Sequence, residues 1–305
     1  MLAGMNPVPY RGRFAPTPSG PLHFGSLVAA LGSCLDARAH AGEWLLRIED
    51  VDPPRVAHGA TQAILRSLDA FGFAWDGPVA YQSGRRDAYQ TALERLDAQG
   101  ILYGCACSRK AIAATARRGV DGPVYPGTCR ERHWRGEPGR APAWRLRVPP
   151  VRLGFSDRLL GRIACDLARE CGDFVLKRGD GVFAYQLAVV VDDADQGINH
   201  VVRGADLLVS TPRQILLQRL LGLTTPDYLH LPVVLDAAGL KLSKQTLAAP
   251  LDDARPLPAL LQAARFLAME PPANGIASLA EFWDWATANW RWRKLPPLRG
   301  KKLVA

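Results

Sequence analysis

The first 50 residues alternate between extended and helical segments, and this alternation limits the possible folds more than any other feature. RGRFAP at 11–16 has the pattern of a short strand, residues 25–41 have that of a helix ended by Gly42, and EWLLRIED at 43–50 has that of a second strand. A strand, a phosphate-sized loop, a helix and another strand form the opening of a parallel α/β sheet. The sequence therefore predicts an α/β fold of the Rossmann type.

Further elements follow on either side of an irregular segment. Residues 56–71 and 84–99 carry apolar residues at helical spacing. Between about 101 and 150, glycine, proline, arginine and cysteine dominate and the periodicity fades, which indicates an insertion. Regular patterns then return, with a hairpin signal at Asp180-Gly181. We expect the two halves of the main α/β domain at 1–100 and 151–235, the insertion at 101–150, and a lysine-bearing loop with a helical C-terminal domain at 236–305.

Composition and charge exclude several classes of protein. The chain has 305 residues, of which 48% are hydrophobic, enough to bury a core. No apolar run reaches the 18 residues that a membrane span needs, and the first residues lack the apolar segment of a signal peptide. We therefore expect a cytoplasmic protein without membrane association, and a monomer. A net charge of +9 favours a polyanionic partner.

The loop PSGPLHFGS at 18–26 has the composition of an anion site. Backbone N–H groups and the positive end of the following helix attract phosphate. Gly25 and Ser26 let a phosphate or ribose approach closely, and the prolines hold the loop in one shape. His23 can donate a hydrogen bond to a phosphate oxygen as charge develops there. Taken alone, the segment also fits an ordinary tight turn with a surface histidine.

A second cationic segment lies far along the chain. KLSKQ at 241–245 places Lys241 and Lys244 three residues apart, on a loop that follows a predicted hairpin. Two cations on a mobile loop can close over a triphosphate and stabilise negative charge that moves onto pyrophosphate. As a solitary motif, a pair of exposed lysines is more often solvated surface.

In this order and at this separation, the two segments resemble the HIGH and KMSKS signatures of class I aminoacyl-tRNA synthetases. More narrowly, the blocks RFAPTPSGPLHFGSL, LLRIEDVDPPR, YQLAVVVDDADQGINHVVRGADLL and KLSK, from Arg13 to Lys244, resemble the catalytic half of glutamyl-tRNA synthetases. Only 61 residues follow Lys244, whereas full-length glutamyl-tRNA synthetases continue into a long helical anticodon-binding half. A compact core with a Cys-x-Cys insertion resembles the glutamyl-queuosine tRNA(Asp) synthetase family.

The resemblance implies a Rossmann-type class I synthetase core with a small zinc-bearing insertion and a short helical C-terminal domain. It implies that L-glutamate is activated with ATP, accompanied by Mg²⁺, as glutamyl-adenylate. Glutamate is then transferred to the queuosine nucleoside in the anticodon of tRNA(Asp). Two alternatives are a shortened glutamyl-tRNA synthetase that charges a tRNA 3′ end and a catalytically inactive tRNA-binding paralogue.

The resemblance also assigns site residues. The expected catalytic residues are His23, Lys241 and Lys244, and the expected ATP-binding residues are His23, Gly25, Ser26 and Lys244. The expected glutamate-binding residues are Arg13, Phe14, Ala15, Pro16, Thr17, Glu49, Tyr185 and Arg203.

The residue types suit these roles, because arginines can neutralise carboxylates and Glu49 can take an ammonium. A surface or interdomain ion pair is the alternative for Arg13 and Glu49, and a half-buried aromatic is the alternative for Tyr185. For the acids at the end of one predicted helix, Asp192, Asp193 and Asp195, we expect a structural or tRNA-positioning role.

Three cysteines in the insertion suggest a metal site. Cys105 and Cys107 are followed by Cys129, and a structural zinc takes four ligands. The family pattern Cys-x-Cys…Tyr-x3-Cys makes Tyr125 the expected fourth ligand of one structural Zn²⁺. His133 is the chemically conventional alternative for the fourth ligand. A different possibility is that the three thiols bind no metal.

The last residues combine an apolar helix face with a basic tail. Leu279, Phe282, Trp283, Ala286 and Trp290 share one helical face, which we expect to pack on the core. The segment 291–302 carries six basic residues and no acid, which makes it a candidate tRNA contact.

Overall fold

The structure is a computed structural model, and it describes residues 8–132, 134, 136, 141–236, 238–242 and 249–302. The strands are β1 (Arg11–Phe14), β2 (Glu43–Ile48), β3 (Ala80–Tyr81), β4 (Leu102–Cys105), β5 (Arg117–Gly119), β6 (Gly122–Val124), β7 (Ala143–Leu146), β8 (Arg152–Asp157), β9 (Gly161–Asp166), β10 (Val175–Lys177), β11 (His200–Gly204), β12 (Asp227–Leu231), β13 (Val233–Leu235) and β14 (Gly300–Lys302). The helices are α1 (Phe24–Ala39), α2 (Ala60–Ala70), α3 (Arg86–Ala98), α4 (Arg109–Thr115), α5 (Leu167–Glu170), α6 (Tyr185–Asp195), α7 (Thr211–Leu221), α8 (Pro256–Phe266) and α9 (Leu279–Asn289).

Parallel strands form the centre of the molecule. β1 pairs in parallel with β2, β2 with β3, and β11 with β12. β1 and β11 lie side by side, where the Asn199 N–H donates to the Arg11 carbonyl oxygen at 3.1 Å. The carboxyl ends of β1, β2 and β11 therefore meet at one edge, where α/β proteins bind ligands.

The helix predicted at 25–41 is α1, which begins one residue earlier and ends two residues earlier than predicted. The His23 side chain caps its N-terminus, and the chain turns back after Ala39. Gly42 is needed there, because a Cβ at this position would lie 2.5 Å from the Tyr10 carbonyl oxygen. This close approach lets the backbone N–H of Glu43 donate to the same carbonyl oxygen at 2.9 Å and start β2 beside β1.

Antiparallel pairing makes the fold mixed rather than purely parallel. β8 pairs antiparallel with β9, and β7 pairs antiparallel with both β4 and β10. The two ends of the segment expected as an insertion, β4 and β7, thus share one small sheet with β10. Between them lie α4 and the β5–β6 hairpin.

The C-terminal helices pack on the core that contains α1. Phe282, Ala286 and Trp290 are buried in the same apolar cluster as α1, β1 and β2, which confirms the expected helix face. Asp36 of α1 accepts hydrogen bonds from Tyr10 Oη at 2.7 Å and Trp290 Nε1 at 2.9 Å, and it pairs with Arg158 at 2.6 Å. Burial raises the pKa of the Asp36 carboxyl, but Arg158 and these donors outweigh burial and lower it.

The basic tail is attached to the sheet edge. β14 pairs in parallel with β13, and Lys301 Nζ donates to the Phe266 carbonyl oxygen at 3.3 Å. Trp290 is buried in the core, whereas the guanidinium carbons of Arg158 and Arg293 lie 5.0 Å and 4.6 Å from the centre of the Trp292 ring.

In the described part of the chain, none of the helices has the length and apolar character required to traverse a bilayer.

Candidate active site

A cavity of about 820 Å³ lies at the edge where β1, β2 and β11 end. Its walls come from the loop after β1, the start of α1, the start of α6 and the residues after β13. Every expected glutamate- or ATP-site residue within the described part of the chain lines this one cavity: Arg13, Phe14, Ala15, Pro16, Thr17, His23, Gly25, Ser26, Glu49, Tyr185, Arg203 and Lys241. Lys244 lies outside the described residues.

His23 combines a capping role with an orientation toward the cavity. Its Nδ1 accepts a hydrogen bond from the Ser26 N–H at 3.3 Å. In a neutral imidazole, the nitrogen that accepts leaves the proton on the other nitrogen. The proton therefore lies on Nε2, so the helix cap fixes His23 in the tautomer that can donate to a phosphate.

Gly25 allows two segments, the start of α1 and the residues after Lys241, to lie in close contact. A Cβ at this position would lie 3.1 Å from His23 Cε1 and 3.7 Å from the Leu242 carbonyl oxygen. A side chain would therefore press on the imidazole. The same distances place the residue after Lys241 beside the N-terminus of α1.

The described residues on both sides of the lysine-bearing loop adjoin the His23 segment. Pro250 forms an antiparallel bridge with His23, and the Leu251 N–H donates to the Leu22 carbonyl oxygen at 3.0 Å. Lys241 Nζ lies 2.5 Å from Asp206 Oδ2, and both side chains line the cavity. The two distant signature segments of the sequence thus meet at one site.

A buried ion network supports the glutamate side of the cavity. Asp193 binds Arg13 Nε at 3.1 Å and Arg47 Nη2 at 2.8 Å, and Arg47 Nη2 also lies 3.4 Å from Glu49 Oε1. Arg13 Nη2 also donates to Asp193, at 3.5 Å from Oδ2, so Nη1 is the nitrogen of Arg13 that is left to bind a substrate. The alternative in which Arg13 and Glu49 form ion pairs is partly correct. Both side chains have charged partners, but both also line the cavity.

The negative charge of Glu49 is only partly offset by the arginines around it. Burial raises its pKa, and the neighbouring Arg47 and Arg13 offset only part of that effect. An ammonium group in the cavity would stabilise its ionised form. Tyr185 lies nearby, and burial and the charge of Glu49 raise the pKa of its phenol, so its hydroxyl stays protonated.

Arg203 is also buried at the cavity wall, but its partners are uncharged. Its Nε donates to His230 Nε2 at 3.2 Å, and its Nη2 donates to Thr211 Oγ1 and Gln214 Oε1, both at 2.8 Å. Its Nη1 is buried and has no hydrogen-bond partner among the described residues.

The other acids of this region lie away from the cavity or behind it. Asp192 accepts from Gln82 Nε2 at 2.7 Å and Tyr89 Oη at 2.8 Å, which gives it the expected structural position. Asp195 pairs with Arg85 at the surface. The tRNA-positioning role of these acids stays a prediction.

Three functional-site neighbours were missed by sequence reasoning: Arg47, Asp206 and His230. Arg47 could have been found, because it stands two residues before Glu49 on a strand and so shares its face. Asp206 and His230 carry no such local signal, since their partners Lys241 and Arg203 are distant in sequence.

The insertion contains a compact group of possible metal ligands. The Sγ atoms of Cys105, Cys107 and Cys129 lie within 4.8 Å of one another, and within the described residues no other such group of three or more His, Cys, Asp or Glu occurs. Cys107 and Cys129 Sγ are 3.6 Å apart. Two thiolates bound to a tetrahedral zinc at about 2.3 Å would lie about 3.8 Å apart, so the spacing fits this metal.

The Tyr125 hydroxyl lies among the three thiols. It is 3.3 Å from Cys105 Sγ and 3.6 Å from Cys107 Sγ, and it accepts from the Cys129 N–H at 2.8 Å. Burial raises the pKa of the Cys129 thiol, but hydrogen bonds, with that from Tyr125 the strongest, outweigh burial and lower this pKa to about 7. The alternative ligand His133 lies outside the described residues.

Comparisons with known proteins agree with this architecture. A family described as tRNA synthetases class I (E and Q), catalytic domain, matches residues 9–257. Among solved structures, a glutamate–tRNA synthetase from Elizabethkingia anophelis superposes with a TM-score of 0.77 at 24% identity, over 98% of this chain and 68% of that chain. At this identity the likeness shows the fold alone.

Curated relatives are much more similar in sequence. The glutamyl-Q tRNA(Asp) synthetase of Chromobacterium violaceum is 58% identical over 287 residues, which cover 94% of this chain and 95% of that protein. The protein of the same name from Dechloromonas aromatica is 59% identical over 291 residues, with 94% and 96% covered. This chain therefore belongs to the class I tRNA synthetase catalytic-domain family and, within it, to the glutamyl-Q tRNA(Asp) synthetases.

Proposed function

We propose that the protein activates L-glutamate with ATP as glutamyl-adenylate and transfers glutamate to queuosine in the anticodon of tRNA(Asp). The observation that carries this proposal is the set of charges in one cavity. Two buried guanidinium groups, Arg13 and Arg203, and one buried carboxylate, Glu49, lie beside the cap of α1. Glutamate has two carboxylates and one ammonium, so its charges complement this set.

The nucleotide would occupy the His23 side of the cavity. His23 Nε2–H would donate to a phosphate oxygen, and Gly25 and Ser26 would let phosphate or ribose approach the N-terminus of α1. Lys241 would exchange Asp206 for a phosphate when ATP binds, and Lys244 would act from the same loop. Mg²⁺ would accompany ATP and screen its charge.

The chemistry requires positioning more than covalent assistance. The α-carboxylate of glutamate attacks the α-phosphorus of ATP, pyrophosphate leaves, and glutamyl-adenylate remains. A hydroxyl of queuosine then attacks the activated carbonyl and AMP leaves. Held reactants and fixed donors around the developing charge supply most of the rate.

We also propose one structural zinc bound by Cys105, Cys107, Cys129 and Tyr125. A tyrosine ligand must lose its proton, whereas burial and the neighbouring thiols raise the pKa of the Tyr125 phenol. The positive charge of the metal would therefore have to stabilise the phenolate, with the Arg145 guanidinium 3.9 Å from the centre of the Tyr125 ring. The metal would cross-link a segment that has little apolar core of its own.

We further propose that the chain divides into a split catalytic domain (1–100 and 151–235), an insertion (101–150) and a C-terminal domain (236–305).

The test is transfer of labelled glutamate to tRNA(Asp) with and without queuosine, followed by nuclease mapping of the labelled nucleoside. The proposal expects label on queuosine and none on the unmodified tRNA. Label that is indifferent to queuosine, or that lies at the 3′ terminus, would favour a shortened glutamyl-tRNA synthetase. No glutamate activation at all would favour an inactive tRNA-binding paralogue.

A further inference from the structure

Arg203 is a buried cation without a counter-ion in the described structure. The side chain of Arg203 is only 5% exposed. Among the described residues, no carboxylate oxygen lies within 4.0 Å of its guanidinium nitrogens. A buried charge is costly unless it is paired. Such a group at a cavity wall is therefore suited to an anionic ligand.

The partners of Arg203 hold it without neutralising it. His230 Nε2, Thr211 Oγ1 and Gln214 Oε1 accept its hydrogen bonds. The Tyr228 ring lies 5.3 Å from its guanidinium carbon. We call His230, Thr211, Gln214 and Tyr228 the neutral cage.

Asp157 keeps His230 in the form that the cage requires. Its Oδ2 accepts from His230 Nδ1 at 2.7 Å and from the His230 N–H at 3.0 Å, and its Oδ1 accepts from the Leu159 and Leu160 N–H groups. The imidazole proton therefore lies on Nδ1, and Nε2 presents a lone pair to Arg203. Burial, together with the charge of Arg203, outweighs the attraction of Asp157 and lowers the pKa of His230 to about 4.

The other arginines of the site are held differently. Arg13 is paired with Asp193, and Arg47 is surrounded by Glu49, Asp192 and Asp193. Of these three buried guanidinium groups, Arg203 alone has only uncharged partners among the described residues. Its charge is therefore the one that most strongly distinguishes a carboxylate from a neutral amide.

We propose that His230 and Asp157 are positioning residues for Arg203, and that the neutral cage keeps the charge of Arg203 available to a substrate carboxylate. The inference rests on the proposed function, because it concerns the glutamate side of the same cavity. Arg203 Nη1, for which the described residues provide no acceptor, would gain one from a substrate carboxylate.

The test uses pyrophosphate exchange to measure KM for glutamate and the inhibition constant of glutamine. Gln214→Glu places a carboxylate on Arg203 with almost no change in size, and Gln214→Met removes the acceptor without adding charge. We expect Gln214→Glu to reduce the preference for glutamate over glutamine about tenfold, with KM for ATP unchanged. Gln214→Met should keep most of this preference.

A second pair of variants tests the positioning role. His230→Leu removes the acceptor of Arg203 and should raise KM for glutamate about tenfold without raising KM for ATP, whereas His230→Gln keeps a neutral acceptor and should restore it. This pair decides the matter if Gln214→Glu does not fold.

Equal loss of preference in the Gln214→Glu and Gln214→Met variants, or an unchanged KM for glutamate in His230→Leu, overturns the inference. These failures are seen only with an active wild type. A wild type without glutamate-dependent exchange instead rejects the proposed function.

Discussion

At the scale of single residues, we propose that the two ring nitrogens of His23 have different roles. Nδ1 accepts from the Ser26 N–H and caps α1. The proton on Nε2 would be donated to the bound nucleotide, so the cap would serve folding and the proton catalysis. Substitutions that remove one or both of these functions should separate them.

We predict that His23→Asn and His23→Ala lose activity alike but differ in stability. Asparagine can still cap the helix, whereas alanine cannot, which costs about 1 kcal/mol. Both remove the donor to phosphate and should lower the rate of pyrophosphate exchange about 100-fold. Urea unfolding and exchange kinetics on the same samples measure the two effects, and an Asn variant with wild-type exchange would refute the catalytic role.

His230 makes stability depend on pH in a defined direction. Its pKa is lowered to about 4 in the folded protein, whereas an unfolded histidine titrates near 6.5. The unfolded state thus binds a proton first as pH falls, so stability is lost between about pH 6.5 and pH 4. The charged or titratable groups that face His230 are Asp157, Arg203, Tyr228 and Asp206.

We therefore predict a steeper loss of unfolding free energy for the wild type than for His230→Gln between pH 7 and pH 4.5. The glutamine variant lacks the titrating imidazole but keeps the four facing groups. Urea unfolding at a series of pH values measures the difference. Parallel curves for the two proteins would show that His230 is not held neutral.

Which charged residues of the site lie at strand ends could be predicted from the sequence, but their partners could not. Arg13 and Asp193 are 180 positions apart, and only the folded chain brings them together. Local patterns report which face a residue occupies, not which distant side chain meets it. The commitment of one edge of Arg13 to Asp193 therefore had to come from the structure.

At the scale of elements, the insertion is held by its ends and by its cysteine group. β4 and β7 enter the sheet with β10, whereas α4 has no buried residue. The apolar cluster around the thiols contains Tyr103, Cys105, Tyr125 and Cys129 and is small. A cross-link at this point would stabilise the whole segment.

We predict one zinc per chain and a distinct effect for each candidate fourth ligand. Tyr125→Phe should weaken zinc binding about 10- to 100-fold and lower Tm, and His133→Ala should leave both unchanged. Competition with a chromogenic chelator and thermal unfolding measure these effects. The opposite result for the two variants would make His133 the ligand.

Helices and central strands could be predicted where a mostly apolar segment ends at a clear turn signal, as α1 does before Gly42. The β8–β9 hairpin and β14 could not. β14 consists of Gly300, Lys301 and Lys302, which have no strand pattern, and it forms because the β13 edge offers unpaired backbone groups. Tertiary context thus decides the structure of such segments.

At the scale of the whole molecule, the positive charge is concentrated in the insertion and the tail. Residues 101–150 contain ten Lys or Arg and three Asp or Glu, and residues 291–302 contain six Lys or Arg and no acid. The exposed basic residues of the insertion that lack a described carboxylate partner are Arg109, Lys110, Arg117, Arg118 and Arg132. This distribution favours binding of a nucleic-acid backbone at the insertion.

We predict that Arg117→Glu combined with Arg118→Glu raises KM for tRNA about tenfold at low salt and leaves pyrophosphate exchange unchanged. The effect should shrink as salt is added. Arg66→Glu combined with Arg219→Glu changes the net charge equally on exposed helical positions and serves as the control. An equal loss in both double variants would assign the effect to net charge rather than to the insertion.

Glutamate-dependent exchange of labelled pyrophosphate into ATP, measured with and without tRNA(Asp), tests the central claim most directly. If the cavity holds glutamate beside ATP, glutamate should support exchange, glutamine and aspartate should not, and Arg203→Ala should abolish it. Exchange that is absent with glutamate under both conditions, or equal with glutamine, would contradict this assignment of the cavity.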